Sequence, residues 1–267
     1  MRPIEATSTN YGTFRHKEIF TVGKERRLNI LHLYPEQMNL YGDRGNVLAL
    51  SQRARWREIP SAIVTREVGE PIDWDMVDLV FMGGGEDTHQ SLIAADFVEM
   101  APELVARLQD GMPMLAICGA FQLLGRSYQA ADGRELPGIG FLDAYTKAGT
   151  KRAIGDVVVQ TTLDIKPRTL VGFENHGGRT YLGAATQRLG VVQLGQGNNG
   201  VDQSEGAVQD HVIGTYLHGS LLPKNPHLAD LLLSWALAYR GFDDLLEPLP
   251  SHEEMAAHQV VLARRRN

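Results

Sequence analysis

The hydrophobic pattern divides the chain in two. In the first half, short apolar runs alternate with longer stretches whose apolar residues recur at helical spacing. Residues 28–34 read as a buried strand, ended by Pro35. Residues 47–58 have amphipathic helical spacing, 61–68 and 78–82 read as strands, 91–108 as a helix, and 113–118 as a fourth strand. That last run turns at Cys118-Gly119 and continues with helical spacing at Phe121, Leu123 and Leu124. Strands alternating with helices predict an α/β fold: an open, mostly parallel sheet flanked by helices. Ligand sites on such sheets lie at the carboxyl ends of the strands.

The second half changes character. Residues 138–146, 156–162, 169–174, 190–194 and 207–216 are short strand-like runs separated by Gly, Asn and Pro. They predict additional antiparallel strands and hence a mixed sheet. The last strand, 211–217, ends at His218-Gly219-Ser220, and a helix over 225–240 follows with Leu228, Leu231, Leu232, Trp235 and Leu237 on one face. Three segments are expected: a polar N-terminal extension over 1–27, an α/β body over 28–242 and a charged helical tail over 243–267 that ends in a solvated Arg264-Arg265-Arg266. Ile19-Phe20-Thr21-Val22 is the one stretch of the extension able to add an edge strand.

Composition narrows the function classes. The 267 residues are 43% hydrophobic, enough for a sizeable core. The net charge of −6 is mixed along the chain with no basic stripe, so nucleic acid is not an expected partner. No apolar run reaches membrane-spanning length, and charges interrupt the first 27 residues where a signal core would lie. A single cysteine fits a reducing compartment. The expectation is a cytoplasmic protein without membrane insertion.

The candidate chemistry centres on that cysteine. Cys118 cannot form an internal disulfide, and one thiol is too few for a structural zinc site. A buried cysteine is ordinarily inert. A strand–Cys–Gly–helix turn, however, is where α/β folds present nucleophiles, and a helix N-terminus lowers a thiol's pKa. A thiol attacking an amide needs a base, oxyanion donors and a cavity. His218, also directly after a strand, supplies the base. Oxyanion N–H groups are expected from Gly119 and from one of Gly83-Gly84-Gly85, in the run Gly83-Gly84-Gly85-Glu86-Asp87, which lacks the Lys-Ser/Thr of a phosphate loop. His176 is the strongest competitor among nine histidines, and no close-spaced ligand set supports a metal. Asp43 suits either a helix cap or a group projecting into the site.

Cys118-Gly119-Ala120-Phe121-Gln122-Leu123-Leu124-Gly125 and Tyr216-Leu217-His218-Gly219 resemble the class I glutamine amidotransferases, in the branch containing the cobyric and cobyrinic acid synthase glutaminase domains. Asn39-Leu40-Tyr41-Gly42-Asp43-Arg44-Gly45-Asn46, the Gly83-Gly84-Gly85-Glu86-Asp87 turn and Gly172-Phe173-Glu174-Asn175-His176-Gly177-Gly178 narrow the resemblance to the glutaminase subunits of lipid II isoglutaminyl synthases. The resemblance implies that Cys118 is the nucleophile, His218 the general base and acid, and Gly83, Gly84 and Gly119 the oxyanion region. It further implies that Gln122 lines the substrate site and Arg152 binds substrate. The implied reaction is hydrolysis of L-glutamine through a Cys thioester. The ammonia would pass to a Mur-ligase-like synthetase subunit of the MurT type, in a heterodimer that amidates the D-glutamate α-carboxyl of lipid II. ATP and Mg are expected on that partner, and no cofactor in this chain. Ala116 and Ala120 stand where many class I enzymes have Gly. Ser220 stands where the usual orienting carboxylate falls, two residues after His218. Either a dyad operates, or another acid contributes, with Asp43 the first candidate and Glu174 the second. The other readings are a non-catalytic binding subunit on the same scaffold, a cobyrinate-type glutaminase, and a cysteine hydrolase of another small amide.

Overall fold

A computed structural model describes residues 26–242 and 246–264. The expected extension up to residue 25, with its edge-strand candidate 19–22, and the end of the chain from Arg265 lie outside the described residues. Strands β1 (Leu28–Leu33), β2 (Ser61–Arg66), β3 (Leu79–Met82) and β4 (Met114–Ile117) alternate with helices α1 (Arg44–Arg55), α2 (Asp87–Gln109) and α3 (Gly119–Leu124). Every residue of β1, β3 and β4 is buried. This is what helices covering both faces of a parallel sheet require. Both long helices start about three to four residues earlier than their apolar spacing predicts. A 3-10 turn at Leu40–Gly42 runs straight into α1, and α2 begins as soon as the glycine run ends.

The remaining elements are β5 (Ser127–Gln129), β6 (Glu135–Pro137), β7 (Ala144–Thr161), β8 (Thr169–Leu182), β9 (Gly190–Leu194), β10 (Ser204–Glu205), β11 (Ala207–Gln209), β12 (Val212–Thr215), α4 (Leu221–Lys224), α5 (Pro226–Arg240) and α6 (His252–Arg264). One sheet has the order β11-β12-β4-β3-β1-β2, parallel except for β11. The other has the order β10-β9-β7-β5-β6, with β8 also paired to β7, and only β5–β7 is parallel.

Three expectations for the second half need correction. Residues 138–143 are not strand, whereas 147–155, read as a gap, belong to β7, whose pairing with β8 shifts between Ala148 and Ala153. The strand expected to stop at Glu174 continues to Leu182, because Asn175-His176-Gly177-Gly178 keeps a buried/half-buried alternation despite its polar and glycine content. The run 207–216 is a hairpin, β11 and β12, with Asp210 in the left-handed region at φ 52°. Helix α6 of the C-terminal tail is docked. Arg53 of α1 is buried and pairs with Asp230 of α5 at 2.7 Å and Glu254 of α6 at 3.0 Å, and Arg264 reaches Asp156 of β7 at 2.7 Å.

Strand β12 matters most for the site. The chain leaves the parallel sheet after α3, builds the antiparallel arms, and returns to lie parallel to β4 with Gly214 opposite Ala116 and Thr215 opposite Ile117. Gly214 is needed there, since a Cβ would stand 2.2 Å from the Phe121 ring. That register places the residues following β12 beside the turn following β4.

Candidate active site

Cys118 follows β4 and precedes α3. Its backbone is left-handed, φ 51° and ψ −102°, which costs a non-glycine residue roughly 1–3 kcal/mol. Hydrogen bonds on both sides hold it: its N–H donates to Thr215 O at 2.8 Å, and its carbonyl accepts from Gln122 N–H at 3.0 Å. The side chain lines a cavity of about 460 Å³ shared with Gly85, Gln122, Arg152, Asn175 and His176.

His218 is pinned by backbone hydrogen bonds to Phe173 of β8, at 2.8 and 3.3 Å, and is fully buried. The two side chains flank one glycine. A Cβ on Gly84 would stand 2.8 Å from His218 Cε1 and 3.3 Å from Cys118 Cβ. Asp43 comes from the start of α1. It occupies the N-cap position but makes no capping bond. Its Oδ2 instead accepts the Gly84 N–H at 2.8 Å and lies 3.6 Å from His218 Nδ1. Burial alone would lower the pKa of His218, but the Cys118 sulfur and the Asp43 carboxylate outweigh it and hold the imidazole well above its ordinary value.

The three glycines of the run present their N–H groups differently. Gly84 N–H is already given to Asp43, and Gly83 backs onto Met38, where a Cβ would meet the carbonyl at 2.2 Å. Gly85 lines the cavity with Cys118, and its N–H makes no backbone hydrogen bond among the described residues. Gly119 opens α3, whose first N–H groups have no intrahelical partner.

His176 lies in the cavity wall with its ring stacked on Tyr216, centroids 3.7 Å apart. Its Nδ1 is 2.9 Å from Gly178 O, and a carbonyl only accepts, so Nδ1 carries the proton. Burial holds its pKa below the ordinary value. Glu174, the second candidate acid, accepts the N–H groups of Gln196 and Gly197 at 2.7 and 2.9 Å and stands 3.7 Å from His176 Nε2. The carboxylate paired with His218 is therefore that of Asp43.

Arg152 lies within the irregular stretch of β7 and is held over the cavity by Asn175. Its guanidinium donates to the Asn175 side-chain oxygen at 3.0 Å and to the backbone carbonyl at 2.9 Å. Gln122 belongs to a buried chain that sequence reasoning missed. Gln90 Nε2 donates to Gly85 O and to Gln122 Oε1, and Gln122 Nε2 donates to the Tyr216 hydroxyl. Tyr216 then meets Thr180, which meets Thr146. No signal marked Gln90, a polar residue early in a helix. Alternation along 144–146 and 178–182 would have marked the two threonines. Among the described residues no three His, Cys, Asp or Glu side chains gather as a metal would need, and no helix is long and apolar enough to cross a membrane.

The chain is similar to known proteins in sequence and in fold. Residues 29–226 match the CobB/CobQ-like glutamine amidotransferase domain. A lipid II isoglutaminyl synthase (glutamine-hydrolyzing) subunit GatD from Staphylococcus aureus is 42% identical over 89% of this chain and 96% of its own length. Its namesake from Streptococcus pneumoniae is 37% identical over 88% and 89%. A cobyric acid synthase from Pelotomaculum thermopropionicum is 33% identical over 81% of this chain but only 41% of its own. In fold, a glutamine amidotransferase from Thermotoga maritima superposes with a TM-score of 0.53 at 16% identity, over 90% of this chain and 96% of that one. With the match spanning both sheets and both strand ends that carry the site, this chain belongs to the CobB/CobQ-like glutamine amidotransferase family.

Proposed function

We propose that the protein hydrolyses L-glutamine and passes the ammonia to a partner synthetase. The observation that carries this reading is the meeting of Cys118 and His218 around Gly84, over the carboxyl ends of β4 and β12. Cys118 Sγ attacks the side-chain carbonyl carbon of glutamine. The carbonyl oxygen takes the negative charge and is met by the N–H groups of Gly85 and Gly119. His218 gives its proton to the amide nitrogen, the C–N bond breaks, and ammonia leaves a thioester on Cys118. His218 then takes a proton from water, which attacks the thioester; glutamate leaves and the thiol is restored. Asp43 orients the imidazole and stabilises its charged form. Arg152 receives the substrate's α-carboxylate at the cavity rim.

The relatives named as lipid II isoglutaminyl synthase subunits support a division of labour. In this reading a Mur-ligase-like subunit of the MurT type binds ATP and Mg, activates the D-glutamate α-carboxyl of lipid II, and takes up the ammonia in the cytoplasm. The decisive experiment is Cys118→Ala assayed for glutamate release, with a glutamine-analogue electrophile as a second probe. The expected result is no release, no labelling and an unchanged fold. Release at the wild-type rate refutes the reading, and a wild-type chain that neither hydrolyses glutamine nor takes the label with its partner present is a binding subunit instead. Co-purification with the synthetase, followed by glutamine-dependent amidation of lipid II, tests the partner.

A further inference from the structure

Two segments distant in sequence are stitched together beside His218. Ser220 is left-handed, φ 48°, and stands at the N-cap position of α4, yet its hydroxyl makes no capping bond. It donates instead to Gly42 O at 2.7 Å, in the turn before α1. Gly45 makes room for it, since a Cβ there would stand 2.2 Å from Ser220 Oγ and 2.9 Å from Ser220 Cβ. Two residues later, Leu222 N–H donates to the Oδ1 of Asn46, which is fully buried. The stitches therefore run from residues 220 and 222 to residues 42 and 46. Asp43 lies between the two points on one segment, and His218 lies two residues before the first point on the other. Both N-cap side chains, Asp43 and Ser220, have been diverted from their own helices to this junction.

We propose that Ser220, seated on Gly45 and assisted by Asn46, is a positioning residue that holds Asp43 against His218. This rests on the reading of Asp43 as the orienting acid. An acid carried on the same segment as the imidazole is placed by local backbone geometry. An acid that arrives from a different strand end is placed only as well as the two segments are tied. Gly84 N–H fixes one face of the Asp43 carboxylate, and the Ser220–Gly42 bond fixes the turn that carries it.

The test is a double-mutant cycle on the full chain, assayed for glutamate release with its partner present. The variants are Asp43→Asn, Ser220→Gly and the two combined. Glycine keeps the left-handed backbone while removing the hydroxyl, and a melting curve confirms the fold. Ser220→Gly should lower kcat about 10-fold with KM unchanged, since misplacing a reacting group by about 1 Å costs on the order of 100-fold. The combined variant should be no slower than Asp43→Asn alone. Cys118 and Asp43 are the groups whose charges raise His218. Loosening Asp43 should therefore move the alkaline limb of the pH profile to lower pH in both single variants. Independent, multiplying losses, or an unshifted alkaline limb in Ser220→Gly, overturn the clamp while leaving Asp43 in place. An Asp43→Asn protein with wild-type kcat overturns the orienting-acid reading, and the clamp with it.

Discussion

The parallel sheet and the antiparallel arms place their polar side chains in opposite ways. In the parallel sheet the central strands β1, β3 and β4 are buried throughout, and the groups proposed for the chemistry sit in the segments that follow strands: Gly85, Cys118 and His218 directly after strand ends, and Asp43 at the start of α1. In the arms the polar groups lie within the strands themselves: Thr146 and Arg152 on β7, Glu174, His176 and Thr180 on β8. A strand buried on both faces has no position for a polar group that must reach a cavity, so function is displaced to its end. A strand with one face on the cavity presents every second residue to it. The difference suggests that the turns carry bond breaking, where backbone geometry fixes each atom, and the arms carry recognition.

The largest expected effect tests the turns. His218→Ala should reduce kcat about 1,000-fold at unchanged KM, within the range of a lost general acid–base group; a loss confined to KM would break the comparison. Arg152→Ala tests the arms. It should raise KM for glutamine about 10- to 100-fold, the worth of a charge-assisted hydrogen bond, with kcat within a few-fold of wild type. A kcat defect without a change in KM would move Arg152 out of recognition.

A third prediction concerns a charge buried in the arms. Glu205 of β10 is fully buried, its Oε2 has no hydrogen-bond partner among the described residues, and burial pushes its pKa up to about 7, against the Thr215 hydroxyl and Tyr216 N–H that favour its ionised form. A folded-state pKa above the unfolded value means that stability is fully present below the unfolded value and falls as pH rises through about 7. Glu205→Gln should flatten that fall and leave the variant about 1–3 kcal/mol more stable than wild type at pH 8 in denaturant unfolding, with no such gain at pH 4. The smallest effect is expected at the exposed Arg168–Asp164 pair in the turn between β7 and β8. Arg168→Ala should leave the melting temperature unchanged, as exposed pairs generally do.

The same contrast explains what could be read from the chain alone. β1 to β4 were visible because short apolar runs bounded by Gly and Pro have few other structural solutions. The family resemblance and the roles proposed for Cys118 and His218 attach to strand ends that the apolar runs already place. The arms were misread where alternation runs through glycine and asparagine, as at 175–178, and where β7 changes register around Arg152. Asp43 was ambiguous because a cap and a catalytic acid ask for the same residue at the same place. The path of its side chain to Gly84 N–H shows that it does not cap α1. In the same way, nothing local in the sequence shows that the Gly84 N–H is given to Asp43.

The left-handed backbone at Cys118 limits how robust this molecule can become. Glycine would sit there at ease, and its hydroxyl-free, thiol-free turn would leave β4, α3 and the hydrogen bond to Thr215 intact. Against that relief stands the loss of a side chain packed into the core, so the turn holds a strain and a packing gain at one residue, and the proposed reading gives the sulfur a further reason to stay.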